Sequence, residues 1–147
     1  MVVVDDGSPD GTADLVDAVG LDLGNILLLR GRGKSGLGTA YRTGFGFALD
    51  HGYDVAVEMD ADGSHQPEQL PLLLDALRDA DLVLGSRYVT GGSVVNWPKS
   101  REVLSRGGNV YTRIMLGVPL KDATGGYRAF RASTLRTLDL TGVESKG

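Results

Sequence analysis

Short apolar segments alternate with amphipathic segments through the first 86 residues. The apolar segments are rich in valine and leucine and occupy residues 2–4, 26–29, 55–59 and 82–84. Between them, apolar residues recur every three or four positions over residues 12–19, 38–50 and 67–80, a spacing typical of helices with one apolar face. This alternation predicts a mostly parallel β-sheet with crossover helices packed against it.

The pattern changes after residue 86. A loop that contains glycine and asparagine precedes a predicted helix over residues 100–116, and a glycine-containing segment follows at residues 124–130. No repeat, low-complexity tract or linker divides the 147 residues. We therefore expect one α/β domain over residues 1–147, and a partial one, because its first strand has no lead-in and its last residues form no closing element.

The composition is that of a globular protein. Hydrophobic residues make up 41% and charged residues 23% of the chain, and cysteine is absent. These values exclude a disordered chain, a disulfide framework and a thiolate metal site. The sequence has no apolar run of roughly 18 residues and no signal-peptide pattern, so we expect a cytoplasmic protein without a membrane-spanning helix.

Charge divides the chain into an acidic and a basic part. Residues 1–86 contain 15 acidic and 5 basic residues, whereas residues 87–147 contain 4 acidic and 10 basic residues, which together give the net charge of -4. The acidic part suits a metal cation, and the basic part suits phosphates or an anionic membrane surface. Unequally charged solvated faces explain the same counts without any ligand.

Polar residues follow each predicted strand of the acidic part. In a parallel sheet the carboxyl ends of the strands share one edge, where ligands bind. Two adjacent carboxylates, Asp5 and Asp6, follow the first strand. A turn with a helix cap explains Asp10 and Gly11 but not this pair, so we predict a binding role for Asp5 and Asp6.

The triplet Asp60-Ala61-Asp62 follows the third predicted strand. Two carboxylates separated by one small residue at a strand end can share a hard divalent cation with diphosphate oxygens. The position at a strand end makes this signal stronger than the motif alone. His65, which lies nearby in the sequence, is either a further ligand or a structural residue.

A glycine-rich segment at residues 31–36 invites two assignments that we reject. It has the glycine spacing of a dinucleotide-binding loop, but it follows the second strand and lacks a clear acidic partner for a ribose. It also ends like a P-loop, but Leu28 stands where the first glycine is required. We predict instead that Gly36 begins a helix whose free amide groups, together with Lys34, face an anion.

The basic part supplies several candidates for contacts with phosphate or a lipid headgroup. They are Arg87, Lys99, Arg101, Arg106, Arg113, Arg128 and Arg131. Most long cationic side chains are simply solvated, but Arg87 directly follows the fourth strand and Arg101 opens the next helix. Trp97, just before that helix, is either a membrane-interface anchor or a core residue.

Six motifs together resemble one enzyme family. They are Asp5-Asp6-Gly7-Ser8-Pro9-Asp10-Gly11-Thr12, Gly36-Leu37-Gly38-Thr39-Ala40, Met59-Asp60-Ala61-Asp62-Gly63-Ser64-His65, Gly85-Ser86-Arg87-Tyr88, Asn96-Trp97-Pro98 and Thr124-Gly125-Gly126-Tyr127-Arg128-Ala129-Phe130. Over nearly its whole length the chain resembles the dolichol-phosphate mannosyltransferases, or polyprenol monophosphomannose synthases, of the inverting GT-A glycosyltransferase family 2. The first and third motifs are typical of the family, and the last three narrow the resemblance to the polyprenyl-phosphate branch.

This resemblance implies a fold, a reaction and a location. The fold would be a GT-A, Rossmann-like, mostly parallel sheet flanked by helices. GDP-mannose would be the donor, Mg2+ or Mn2+ the cofactor, and a polyprenyl phosphate the acceptor. The protein would attach peripherally to the cytoplasmic face of the membrane and would bind no nucleic acid.

The resemblance also implies roles for individual residues. The nucleotide-sugar site would comprise Asp5, Asp6, Gly7, Ser8, Asp10, Lys34, Gly36, Asp60, Ala61 and Asp62. The metal would be held by Asp60 and Asp62, and the catalytic residues would be these two and Arg87. The acceptor phosphate would contact Arg87, Arg101 and Ser105, and we predict that Arg128, a cation of the basic part, contacts it too.

The chain departs from the family pattern in two places. Some relatives have a glutamine metal ligand two residues after the second aspartate of the DxD motif, where this chain has Ser64. Family members also begin with a strand and a PxYNE-like loop that are missing here, and this strand would be central to the sheet. We therefore expect weak or no activity from these 147 residues alone.

Three other functions stay open. One is a family 2 enzyme with another donor or acceptor, such as one that transfers glucose from UDP-glucose. Another is a catalytically silent fragment that binds a nucleotide or serves as a subunit of an assembly. A metal-dependent phosphohydrolase would also use acidic loops, but residues 4–7 do not form a convincing aspartyl nucleophile motif.

Overall fold

The computed structural model describes residues 1–31, 33–86, 99–117, 122, 125–138 and 140, with the side chains of residues 99–106 and 116 left out of the description. Strands and helices alternate along these residues. In chain order they are β1 (Val2–Asp5), α1 (Thr12–Leu23), β2 (Leu27–Arg30), α2 (Leu37–Asp50), β3 (Val55–Glu58), α3 (Leu70–Ala76), β4 (Leu82–Leu84), α4 (Lys99–Leu116), β5 (Arg128–Arg131) and α5 (Ala132–Thr137). The predicted α/β class is confirmed.

The chain divides into two compact units, of which the first comprises Met1–Ala56 and Ala132–Gly147. In this unit β1 and β2 pair in parallel, with Asp5 opposite Arg30. Helix α1 packs against both strands, α2 packs against β1, and α5 packs against α2. The parallel pairing brings the loops after β1 and β2 to the same edge of this small sheet.

The second unit comprises Val57–Arg131, so its boundary falls inside β3. Its sheet has the order β3-β5-β4, and β4 runs antiparallel to β5. Among its described residues, the buried apolar ones are Leu73, Leu77, Tyr127, Ala129 and Phe130. Gly126, just before β5, lies against the carboxylate of Asp60, which follows β3.

Several elements differ from the sequence prediction. The helix predicted over residues 67–80 is divided into a 3-10 turn at Pro67–Gln69, helix α3, and a second 3-10 turn at Leu77–Asp79. Pro71 stands at the second position of α3 and has no N–H to donate to the preceding turn. Strand β5 was not predicted because it has an arginine at each end instead of an apolar run, and helix α5 was not predicted because six residues are too few to establish a helical periodicity. The single domain over residues 1–147 stays a prediction.

Arg131, at the end of β5, is bound to the chain just before β4. Its Nε donates to the carbonyl oxygen of Ala80 at 3.0 Å, and its Nη2 donates to those of Leu77 at 2.6 Å and Arg78 at 2.9 Å. Carbonyl groups at the end of a helical turn lack partners within the turn and favour a cation. Arg131 therefore has a structural role in this unit, although it was one of the cations considered for phosphate.

Candidate functional site

The first cluster of predicted site residues lies in the loops after β1 and β2. The Asp6 carboxylate accepts three hydrogen bonds from the start of α2: from the Ser35 hydroxyl at 2.7 Å, the Ser35 N–H at 2.7 Å and the Gly36 N–H at 3.0 Å. These bonds, led by the one from the Ser35 hydroxyl, lower the pKa of Asp6. The anion predicted to face the amide group of Gly36 is thus, in this structure, a carboxylate of the chain itself.

Two glycines allow these loops to approach each other. A Cβ at Gly31 would lie 2.8 Å from Oδ1 of Asp6 and 3.1 Å from its Cα, which is too close for a side chain. Gly7 has a φ of 85°, a conformation that glycine adopts without strain. A Cβ there would also lie 3.3 Å from Cα of Gly33. The loop after β2 therefore packs directly on the backbone after β1.

The other acidic residues of this cluster organise the loop after β1. Asp5 is a buried residue. Its Oδ2 accepts hydrogen bonds from the N–H groups of Gly7 at 3.2 Å and Ser8 at 3.1 Å. Asp10 accepts the N–H of Thr12 at 3.1 Å and its hydroxyl at 2.6 Å. The hydrogen bond from the Ser8 side chain lowers the pKa of Asp5, and the one from the Thr12 side chain lowers that of Asp10. Both carboxylates are therefore ionised at neutral pH.

The second cluster surrounds Asp60, two residues after the end of β3. Oδ2 of Asp60 lies 3.3 Å from Nε2 of His65, whose ring is in tilted contact with that of Tyr127 at 5.3 Å between centroids. The Asp60 side chain is 41% exposed, whereas the His65 side chain is only 13% exposed. His65 thus lies between a core tyrosine and a solvent-facing carboxylate.

Glycines before β5 come close to Asp60 and to the end of β4. A Cβ at Gly126 would overlap Oδ2 of Asp60 and lie 2.8 Å from its Cγ. A Cβ at Gly125 would lie 2.8 Å from the carbonyl oxygen of Gly85, and the N–H of Gly85 donates to the carbonyl oxygen of Tyr127 at 2.8 Å. The segment from Gly125 to Tyr127 therefore lies against both Asp60 and Gly85.

An ion pair connects the end of β3 to the start of β5. Oε1 of Glu58 is 3.2 Å from Nη1 of Arg128, and the two side chains are 5% and 29% exposed. Oε1 accepts no hydrogen bond within the described part of the chain, so the contact is one of charge. Burial raises the pKa of Glu58 to about 7, against the opposing effect of Arg128 and with a further upward contribution from Asp60.

Arg128 was expected at the acceptor phosphate, but its guanidinium makes internal contacts here. Besides Nη1 near Glu58, its Nε donates to the carbonyl oxygen of Gly125 at 2.9 Å. Sequence reasoning missed Glu58 as a partner. The available signal was an acidic residue inside an apolar strand, since residues 55–59 are Val-Ala-Val-Glu-Met.

Asp60 and Asp62 were the predicted metal ligands. Asp62 is exposed, and its Oδ1 accepts the N–H of Ser64 at 2.9 Å; hydrogen bonds from Ser64 lower its pKa. The described residues contain no group of three or more histidine, cysteine or acidic residues suited to a metal ion. Two carboxylates suit a cation that takes its remaining ligands from water and substrate phosphates, as Mg2+ usually does.

The remaining predicted site residues are described only in part, or not at all. Arg87 and Trp97 are not described, and Arg101 and Ser105 are described only as backbone positions of α4. Lys34 is exposed next to Ser35, in the loop that precedes α2. Their roles stay predictions.

Comparison with known proteins shows the family. The glycosyl transferase family 2 profile matches residues 1–139 of the chain. This chain therefore belongs to glycosyl transferase family 2, whose members generally use a divalent metal.

Three relatives are similar to the chain over all or nearly all of its length. An undecaprenyl-phosphate mannosyltransferase of Micrococcus luteus is 58% identical over 147 residues, which are 100% of this chain and 60% of the relative. A polyprenol monophosphomannose synthase of Mycolicibacterium smegmatis is 54% identical over 149 residues, covering 100% of this chain and 56% of the relative. A dolichol-phosphate mannosyltransferase of Pyrococcus furiosus is 36% identical over 149 residues, covering 99% of this chain and 41% of the relative. The chain thus spans less than two thirds of the length of each relative.

Proposed function

We propose that this chain forms part of an enzyme that transfers mannose from GDP-mannose to a polyprenyl phosphate. The proposal rests on one observation: the whole chain has 58% and 54% sequence identity to two relatives whose names specify mannose and a polyprenyl phosphate. The donor nucleotide, GDP, is our inference from the sequence resemblance. The carboxylates at the ends of β1 and β3 support a nucleotide as part of the donor, because nucleotide ligands bind at such strand ends in α/β sheets.

The proposed chemistry requires alignment and charge neutralisation more than proton transfer. An acceptor phosphate is already ionised at neutral pH, so it can attack the anomeric carbon of the donor without a side-chain base. Asp60 and Asp62 would hold the divalent cation, whose positive charge would stabilise the leaving nucleoside diphosphate. Mg2+ and Mn2+ both suit these carboxylates.

The proposed substrate contacts follow from the loops. The donor nucleotide would contact residues of the first cluster, namely Asp5, Asp6, Gly7, Ser8, Asp10, Lys34 and Gly36. Asp6 would act there partly by shaping the loop, because its carboxylate binds Ser35 and Gly36. Arg87, Arg101 and Ser105 would contact the acceptor phosphate, for which arginine is well suited.

We also propose that the protein binds the cytoplasmic surface of the membrane, where it would take its lipid acceptor. Within the described residues, no helix has both the length and the hydropathy to cross a bilayer. Helix α4, however, exposes apolar side chains spaced along one face: Val110 at 45%, Tyr111 at 65%, Ile114 at 74% and Met115 at 63%. Such a face, on a helix that also contains Arg113 and belongs to the basic part of the sequence, suits an anionic lipid surface.

The test is transfer of labelled mannose from GDP-mannose to undecaprenyl phosphate in the presence of Mg2+ or Mn2+. It should be run on the chain itself and on a flanked chimera, in which this chain replaces the matched 60% of the Micrococcus luteus relative. We expect transfer by the chimera and weak or no transfer by the chain alone. Transfer from UDP-glucose but not from GDP-mannose would replace the proposed donor, and binding of GDP without any transfer would favour a silent nucleotide-binding role.

A further inference from the structure

We propose that Arg128 is a positioning residue for Asp60, acting through the glycine pair Gly125-Gly126, and that Glu58 holds Arg128 in place. This inference rests on the proposed function, in which Asp60 holds the cation on the donor diphosphate. It assigns to Arg128 a role different from the phosphate contact expected from the sequence. All of these residues belong to the second compact unit.

The first step is the anchoring of Arg128. Glu58 is the last residue of β3 and Arg128 is the first residue of β5, and the two strands are neighbours in the sheet. Their side chains form an ion pair at 3.2 Å with Glu58 only 5% exposed. Removing one partner of such a pair leaves a buried charge uncompensated, so Glu58 favours the position in which the guanidinium of Arg128 contacts it.

The second step is the fixing of the glycine pair. Nε of Arg128 donates to the carbonyl oxygen of Gly125 at 2.9 Å, which closes a loop just before β5. Gly125 also lies against the carbonyl oxygen of Gly85, because a Cβ at position 125 would be only 2.8 Å from that oxygen. Gly125 is therefore bounded by Arg128 and by the end of β4.

The third step is the contact between Gly126 and Asp60. A side chain at position 126 would overlap the carboxylate of Asp60. Gly126 is not among the glycines with positive φ in the described residues, so it is space, not backbone conformation, that requires glycine here. His65 approaches the same oxygen, Oδ2, at 3.3 Å. The carboxylate is thus confined between the His65 ring and the Gly126 backbone.

These steps predict a link between Arg128 and metal affinity. Groups that orient a metal ligand typically change metal affinity by about 10- to 100-fold when they are replaced. If Arg128 positions Asp60, Arg128→Lys should weaken Mn2+ binding, because lysine keeps the charge but cannot reach both Glu58 and the Gly125 carbonyl in the same geometry. Gly126→Ala should do the same while leaving Arg128 intact, because a methyl group would displace the Asp60 carboxylate.

The experiment measures Mn2+ binding in the presence of GDP by electron paramagnetic resonance, on the flanked chimera, with circular dichroism as a check of folding. We expect Arg128→Lys and Gly126→Ala each to raise the Kd for Mn2+ by about tenfold or more, with an unchanged KM for polyprenyl phosphate. The matched control is Arg131→Lys, which alters an arginine of the same strand that binds carbonyl groups away from Asp60. Its Kd for Mn2+ should equal that of the unsubstituted protein.

Two outcomes would overturn the inference. One is a raised KM for the acceptor with an unchanged Kd for Mn2+ in Arg128→Lys, which would return Arg128 to the acceptor phosphate. The other is an unchanged Kd in a folded Gly126→Ala variant. Absence of GDP-dependent Mn2+ binding by the unsubstituted chimera, or no loss of it in Asp60→Asn, would instead overturn the metal role in the proposed function.

Discussion

The carboxylate of Asp6 receives both the hydroxyl and the N–H of Ser35, each at 2.7 Å, across 29 residues of sequence. This contact joins the loop after β1 to the beginning of α2. It also places a carboxylate that is negatively charged at neutral pH against the amide groups at the start of that helix. Asp6, a residue of the first motif, therefore connects the two loops that we propose to bind the nucleotide.

Loss of the Asp6 carboxylate should destabilise the first compact unit. Asp6→Ala removes all three hydrogen bonds from Ser35 and Gly36, whereas Asp6→Asn keeps one acceptor oxygen. We expect both variants to unfold at lower urea concentration, with alanine more affected than asparagine. Asp10→Ala, which removes only local bonds to Thr12, should have a smaller effect. Equal midpoints for Asp6→Ala and the unsubstituted chain would contradict this role.

The same carboxylate predicts a dependence of stability on acid. The hydrogen bonds from Ser35 lower the pKa of Asp6 below 3.8 in the folded state. Its contribution to the free energy of unfolding is therefore fully present above the unfolded pKa and is lost as the pH falls through the folded pKa. Urea titrations between about pH 5 and pH 2 should show a flatter pH dependence for Asp6→Asn than for the unsubstituted chain. Parallel curves would exclude Asp6 as a source of acid sensitivity.

The sequence predicted the fold class and the strand-end loops well, because an uninterrupted apolar run marks strands such as Val2–Asp5 and a helical spacing of apolar residues marks helices such as Leu37–Asp50. It predicted carboxylates at the ends of β1 and β3 for the same reason. It did not predict which partners those carboxylates have, because the pairing of Asp6 with Ser35, or of Glu58 with Arg128, depends on three-dimensional proximity across many residues. The predicted phosphate contact of Arg128 rested only on its being an arginine.

Arg131 should contribute to stability without affecting substrate or metal. Its guanidinium donates to the carbonyl oxygens of Leu77, Arg78 and Ala80, and hydrogen bonds that involve a charged group are each worth about 1.5–3 kcal/mol. We expect Arg131→Met to lower the free energy of unfolding by at least about 2 kcal/mol, measured by urea denaturation of the flanked chimera. Arg78→Met, which changes an exposed arginine paired only at the surface with Asp75 within the described contacts, is the control and should change it little.

The metal requirement can be tested at the two carboxylates after β3. Asp60→Asn and Asp62→Asn each remove a charge from the proposed cation site, and we expect each to lower kcat for mannose transfer by about 100-fold or more, in the range of lost electrostatic catalysis. Chelation with EDTA should abolish transfer, and added Mg2+ or Mn2+ should restore it. Asp75→Asn, which neutralises an exposed aspartate on α3, should leave kcat unchanged.

Transfer that persists in EDTA, with Asp60→Asn fully active, would show that these carboxylates hold no catalytic cation. A loss of activity in Asp75→Asn as large as that in Asp62→Asn would show instead that overall negative charge, and not the position of the carboxylates, is what matters.

The exposed apolar face of α4 should control attachment to membranes. Ile114 is 74% exposed, and full burial of such a side chain stabilises by about 1.5–3 kcal/mol, which corresponds to at least about tenfold in a partition coefficient. We therefore expect Ile114→Glu to reduce binding to anionic phospholipid vesicles by about tenfold, as measured by vesicle co-sedimentation at low salt. The matched control is Leu72→Glu on α3, where the side chain is 70% exposed and the helix lies in the acidic part of the chain. If both variants lose binding equally, added negative charge alone explains the loss. If neither does, α4 does not contact the bilayer.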